Sequence, residues 1–196
     1  MSTESTTIAF LARLSGLLDP LREFISHKPV WGTCAGAILL AQAVVSAKKG
    51  GQELLGGMSI TVERNGWGTQ VESFEALLEV AGLRDSKRPF PGIFIRAPVS
   101  PLFSLSHSFL NPIISFQVLL KLSATERDPP ISVIARLPSS IVPRLREDSD
   151  PDVDVDIQTI VAIRQGRHLL TTFHPELTLD DRFHEYFVRE CVLRDS

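Results

Sequence analysis

The sequence predicts an α/β fold, and three observations carry that expectation. Short apolar runs bounded by proline, glycine or charge recur at "PVWGT", "MSITVERN", "GIFIRAPV" and "TIVAIRQGRHLLTTF", each too short for a helix and suited to a strand. Other segments repeat their apolar residues at helical spacing. The two kinds alternate along the chain, the order from which a sheet packed with helices is built.

The elements follow in order. Ile8, Leu11, Leu14 and Leu18 in "STTIAFLARLSGLL" share one face of a helix, with Ser5 or Thr6 as its N-cap. "DPLREFI" is a second short helix with Pro20 in its first turn. "PVWGT" is a buried strand between Pro29 and Gly32, and "AGAILLAQAVVSAKK" a helix closed by Gly50 and Gly51. Met58, Ile60 and Val62 alternate with small or polar residues as a half-buried strand does, and "GIFIRAPV" is an apolar strand ended by charge and proline. "TIVAIRQGRHLLTTF" is two strands joined around Gln165 and Gly166. In "DDRFHEYFVRECVL", Phe183, Phe187, Glu190 and Cys191 form one helical stripe. From about Ser104 to Asp156, serines, prolines and an acidic run interrupt the apolar clusters, which predicts a long irregular surface excursion.

With 196 residues, 43% hydrophobic and 22% charged, the chain suffices for one sizeable core, so residues 1–196 are read as a single domain. A formal net charge of −3 supplies no broad basic surface for phosphate backbones and argues against nucleic acid as a partner. No apolar run reaches the ~18 residues of a membrane span. Cys34 and Cys191 sit in unlike contexts with no secretory leader before them, so the expected setting is cytoplasmic and reduced. His168 and His184 lack companions at metal-ligand spacing, and no metal or cofactor is expected. Cys191 is read as core packing.

The chemistry centres on "KPVWGTCAGAILLA", where strand, tight turn and helix meet at Cys34. A thiol attacks only as thiolate, and a turn into a helix favours negative charge through unpaired N–H groups and the macrodipole. Gly32, Ala35 and Gly36 let the chain bend sharply, as at the elbow of serine hydrolases. A nucleophile needs a base and the base an orienting partner. "TTFHPELT" supplies His174 and Glu176, which in an extended chain point the same way. Spacing alone leaves open that Cys34 is a small core residue.

Four blocks in order, "GTCAGAILLA", "VERNGWGTQVESFE", "GIFIRAP" and "FHPELTLDDRFHEYF", resemble the glutaminase subunit of pyridoxal 5′-phosphate synthase, a class I type glutamine amidotransferase. The resemblance runs from about Glu4 to Phe187 and is interrupted at Ser104–Asp156. It implies a three-layer, flavodoxin-like sheet with helices on both faces. It also implies hydrolysis of L-glutamine, with ammonia passed to a separate barrel-shaped synthase subunit that builds pyridoxal phosphate. Carried over by motif, Cys34 attacks the side-chain amide, His174 moves protons and Glu176 orients it. The N–H of Ala35 helps hold the oxyanion, and Glu4, Arg64, Ile95 and Arg96 match positions that bind glutamine. A guanidinium fork suits the substrate's α-carboxylate; the alternative for Arg96 is a strand-end ion pair.

Three departures qualify the expectation. Ser2 and Thr3 stand where the family has a glycine pair, and the family's opening strands have no counterpart before "MSTESTT". Thr69 replaces an arginine. Asp150, Asp152, Asp154 and Asp156 alternate like a calcium loop but lack its glycine and terminal glutamate, so residues 147–156 are read as a solvated loop. The alternative to an active glutaminase is therefore a catalytically impaired form acting only as an interaction protein for the synthase subunit. A different cysteine hydrolase on a related fold leaves the "ERN" and "FIRAP" blocks unexplained.

Overall fold

The computed structural model describes residues 4–45, 52–64, 73–95, 117–122, 124–138, 141 and 159–194. Helices α1 (Glu4–Leu14) and α2 (Leu18–His27) lead into strand β1 (Val30–Thr33), helix α3 (Ala35–Leu40) and strands β2 (Ala41–Val45) and β3 (Met58–Arg64). Strands β4 (Phe74–Leu78), β5 (Phe90–Phe94), β6 (Gln117–Leu122), β7 (Ile131–Arg136), β8 (Ile160–Gln165) and β9 (His168–Thr171) follow. A 3-10 turn at Pro175–Leu177 and helix α4 (Arg182–Phe187), which runs on as a π-helical turn at Val188–Val192, complete the described chain.

The main sheet has the order β1-β9-β8-β7. β8 and β9 are the expected hairpin, with Gln165 opposite His168 and Gly166 at φ 56° in the turn, a conformation that glycine adopts without penalty. β1 runs parallel to β9. Both faces of this sheet are covered, which is why β8 reads as a continuous apolar run. On one side Val161, Ala162 and Leu169 pack with Phe90, Phe94, Phe173 and, from α4, Phe183 and Tyr186. On the other, Ile160, Ile163 and Leu170 pack with Ile25 of α2, Ile38 and Leu40 of α3, and Met58, Ile60 and Val62 of β3. Helices therefore lie on both faces, as an α/β architecture requires. Two smaller sheets, β2-β3-β6 and β4-β5, complete the described strands. The outer sides of α1 and α2 leave Phe10, Leu11, Leu14, Leu17 and Phe24 exposed.

Several local expectations are corrected. The helix after Cys34 stops at Leu40, because Ala41–Val45 pairs in parallel with β3 and its β-branched Val44 and Val45 suit a strand. The proposed cap at Gly50 and Gly51 lies outside the described residues. Helix α1 starts at Glu4, so Ser5 and Thr6 lie within it. Their hydroxyls reach Gln52 Oε1 at 3.4 Å instead of capping. The strand expected over "GIFIRAPV" begins at Phe90 and ends at Phe94, paired antiparallel with β4. The excursion expected over Ser104–Asp156 contains two strands, β6 and β7; the apolar alternation of "ISVIAR" was masked by its polar flanks. On the last helix Tyr186 is buried and Glu190 is only partly so, while Phe183 and Cys191 are fully inside as expected.

Candidate active site

The site grows from the parallel pair β1 and β9. Gly32 lets α3 lie directly on β1, since a Cβ there would stand 2.6 Å from Leu40 Cδ1 and 2.8 Å from the Gly36 carbonyl oxygen. That close approach forces a sharp bend, and Cys34 takes it at φ 47°, ψ −112°. A non-glycine residue at positive φ costs on the order of 1–3 kcal/mol and persists only where the surroundings hold it. Here they do. The Cys34 N–H donates to Thr171 O at 3.2 Å, and the Cys34 carbonyl accepts from Ala37 N at 3.0 Å. The thiol is half-buried and in no disulfide. Helix α3 has only six residues, so the bend itself, more than a long macrodipole, sets the thiol's position.

From Thr171 the chain runs through Thr172, whose N–H bonds Val161 O at 2.9 Å, and Phe173, fully buried against Phe90, Phe94 and Phe183. His174 is thus delivered beside the elbow, with its backbone N–H on Ile93 O at 2.8 Å. The next residues form a 3-10 turn in place of the extended geometry expected from the sequence. The turn still brings Glu176 back, and its Oε1 lies 2.7 Å from His174 Nδ1. The imidazole is 13% exposed and the carboxylate 49%.

Electrostatics couples the three groups. His174 is raised from 6.5 to about 9, chiefly by hydrogen bonding to Cys34, with the Glu176 hydrogen bond second among the raising causes and burial opposing both. Yet the buried Nε2 makes no hydrogen bond of ordinary geometry. The thiol and imidazole are near enough to interact strongly without an aligned bond, as is common for catalytic pairs before substrate arrives. Such a pair can hold a proton on nitrogen beside a nucleophilic sulfur and exchange it with a leaving group.

The other expected residues fare unevenly. Ala35 opens α3 and is buried. Ile95 is partly buried and follows the end of β5, two residues beyond the Ile93 carbonyl that holds His174. Arg64 ends β3 and Glu4 opens α1, with side chains outside the description. Arg96, Thr69 and the acidic run 147–156 lie outside the described residues. Among the described residues, no group of three His, Cys, Asp or Glu is gathered as for a metal ion. No described helix is long and apolar enough to cross a membrane. His184 is exposed, its ring edge-on to Trp31 at 5.1 Å. The sequence pattern does not single out Asp180 and Arg182, although Arg182 is buried. A cue was available, since an Asp two residues before an Arg at a helix start can bond both its backbone N–H and its guanidinium.

A strained cysteine elbow at a parallel strand end, beside a histidine held by a carboxylate, is the kind of arrangement that cysteine-dependent hydrolases use. The chain belongs to the SNO glutamine amidotransferase family, whose model matches residues 2–104 and 106–193. It is similar to a probable pyridoxal 5′-phosphate synthase subunit PDX2 of Arabidopsis thaliana, at 42% identity over 95% of this chain and 67% of that protein. The pyridoxal 5′-phosphate synthase subunit PdxT of Roseiflexus sp. (strain RS-1) is 39% identical over 94% of this chain and 75% of its own length. A solved structure, titled as a crystal structure of glutamine amidotransferase, superposes with TM-score 0.65 and 34% identity, covering 97% of this chain and 76% of that one.

Proposed function

We propose that this chain is the glutaminase subunit of a pyridoxal 5′-phosphate synthase, hydrolysing L-glutamine and supplying ammonia to the barrel-shaped synthase subunit. The observation that carries the reading is the Cys34–His174–Glu176 constellation, built on two adjacent parallel strand ends from residues 140 apart in sequence at their cross-strand tie, Trp31 to Thr171. Cys34 sulfur, as thiolate, attacks the side-chain carbonyl carbon of glutamine. The amide electrons move onto oxygen, where the N–H of Ala35 offers a donor to the oxyanion. Collapse breaks the carbon–nitrogen bond as protonated His174 gives its proton to the departing nitrogen, leaving ammonia and a thioester. Neutral His174 then takes a proton from water, whose oxygen attacks the thioester carbonyl. Glutamate leaves, the thiolate is restored and the imidazole is again protonated. Glu176 holds the tautomer throughout. Glu4, Arg64, Ile95 and Arg96 are assigned to glutamine binding, with the arginines on the α-carboxylate.

The test mixes the purified chain with the synthase subunit and follows glutamate release, with Cys34→Ala as control. Release that disappears in the variant is expected; equal rates from both proteins would remove Cys34 from the chemistry. Ser2 and Thr3, in place of the family's glycine pair, favour a second reading in which the chain only docks on the synthase. Binding to the synthase without Cys34-dependent release would establish it.

A further inference from the structure

Arg182 is the single charged residue fully buried among the described residues, at 1% exposure. All five of its guanidinium N–H donors are engaged. Nε donates to Asp180 Oδ1 at 2.9 Å, and one terminal nitrogen reaches Asp180 Oδ2 at 2.6 Å and Pro89 O at 2.9 Å. The other reaches Asp85 O at 3.1 Å and Arg88 O at 2.7 Å. The ring of Phe90 lies 5.8 Å from the guanidinium carbon. A buried pair of this kind is weak evidence for stability as such, because desolvation offsets much of the attraction. What it joins is more telling.

One arm runs from the three carbonyls directly into β5, where Ile93 O holds the His174 N–H at 2.8 Å. The other runs through Asp180, whose N–H bonds Thr178 Oγ1 at 3.2 Å. The Thr178 hydroxyl in turn donates to Pro175 O at 3.1 Å. The two arms close on the turn that carries Glu176 beside His174. That carboxylate is half exposed and has no burial of its own to fix it.

We propose that the Arg182–Asp180 clamp is a positioning device for the proposed reaction, locking the turn after β9 so that Glu176 meets His174 Nδ1. This rests on the reading of Cys34, His174 and Glu176 as catalytic. Asp180 is held below the usual carboxylate range, first by its hydrogen bond from Arg182, so the pair stays charged across the working pH range. Lysine cannot replace the fork, since one ammonium has three donors and no planar reach.

The experiment uses the full chain with the synthase subunit and compares wild type with Arg182→Lys, Asp180→Asn and Thr178→Val. It measures kcat and KM for glutamine, the melting temperature, and the titration of His174 by imidazole NMR. Among the described residues Cys34 and Glu176 are the groups that raise His174, so loosening the turn should lower its titration point. The expected result is a fall in kcat of about 10- to 100-fold with KM changed less than about twofold, and His174 titrating below about 9. A lower melting temperature with wild-type kcat and wild-type His174 titration would overturn the proposal and leave Arg182 purely structural. Should Arg182→Lys not fold, Asp180→Asn and Thr178→Val decide it, because neither strips the guanidinium of its carbonyl partners. Failure of the underlying reading shows separately, as wild-type release that survives Cys34→Ala; the NMR titration reads the clamp without turnover.

Discussion

Replacing Gly32 by alanine should unseat the elbow. The added Cβ would stand 2.6 Å from Leu40 Cδ1, 2.8 Å from Gly36 O and 2.9 Å from Gly36 C. Two of those atoms are helix backbone and cannot swing aside, and Leu40, 2% exposed, has little room to change rotamer. Overpacking typically costs about 1–3 kcal/mol, and the rigid neighbours put this site in the upper part of that range. For a chain of this size each kcal/mol lowers the melting temperature by roughly 2–4 °C, so a drop of about 4–12 °C is expected. Relief of the clash lifts α3 and carries Cys34 and Ala35 with it, and a displacement of about 1 Å at a reacting group can cost on the order of 100-fold in rate. Gly36→Ala is the internal control for stability, because a Cβ there would meet nothing within 4 Å and alanine is the better helix former. Thermal unfolding followed by circular dichroism, paired with glutamate release in the presence of the synthase subunit, reads both effects. A Gly32→Ala protein that melts with the wild type would refute the claim that close strand–helix approach sets the elbow.

The remaining expectations concern charge. His174, raised from 6.5 to about 9, binds its proton more tightly folded than unfolded, so its contribution to stability is complete below about 6.5 and is lost as pH rises through about 9. Denaturant titrations should show that decline, ending at lower pH in Cys34→Ala, which lacks the largest raising cause; a flat profile in wild type would contradict it. Cys191, pushed up to about 11 by burial, adds a loss only above about pH 9. His168, lowered by burial and Arg167, acts at the acid end, so the windows separate. Glu176→Gln keeps the shape and removes the charge from a 2.7 Å contact. A charge-assisted hydrogen bond is worth about 1.5–3 kcal/mol, and half exposure screens it, so kcat should fall roughly tenfold. Stopped assays at saturating glutamine would show this, and unchanged kcat would remove Glu176 from the trio.

Much of the fold was legible because period and punctuation agreed. "TIVAIRQGRHLLTTF" became β8 and β9 around Gly166, and Met58, Ile60 and Val62 face the core as their alternation requires. Helix α3 is shorter than its sequence predicts because "AILLAQAVV" suits a buried helix and a buried strand alike; pairing with β3, a tertiary fact, decides for strand from Ala41. β7 was hidden because "ISVIAR" is a short run set between Pro130 and Pro138, and pairing with its antiparallel partner β8 reveals it. At the site, cysteine, histidine and glutamate were readable from residue type and order. The clamp was not, because three of the five donors of one arginine are satisfied by carbonyls more than ninety positions away, which no local pattern records.

The register of β1 on β9 is what ultimately places sulfur beside imidazole. Gly32 stands opposite Leu170 and Thr33 opposite Thr171. A slip of one residue would move the elbow by about 3.3 Å along the strand and would turn Val30 and Trp31 toward the wrong sides of the sheet. Those two residues pack on separate hydrophobic clusters, Trp31 on the one with α4 and Val30 on the one with α3. Packing remote from the chemistry therefore fixes its geometry. The bond from Trp31 Nε1 to Thr171 Oγ1 at 3.2 Å adds a side-chain tie but does not set the register. Thr171→Val should accordingly cost about 1–3 kcal/mol, mainly from the stranded indole N–H, while glutamate release stays within a few-fold of wild type. Loss of release with stability retained would show that the hydroxyl, and not the two clusters, holds the strands in step.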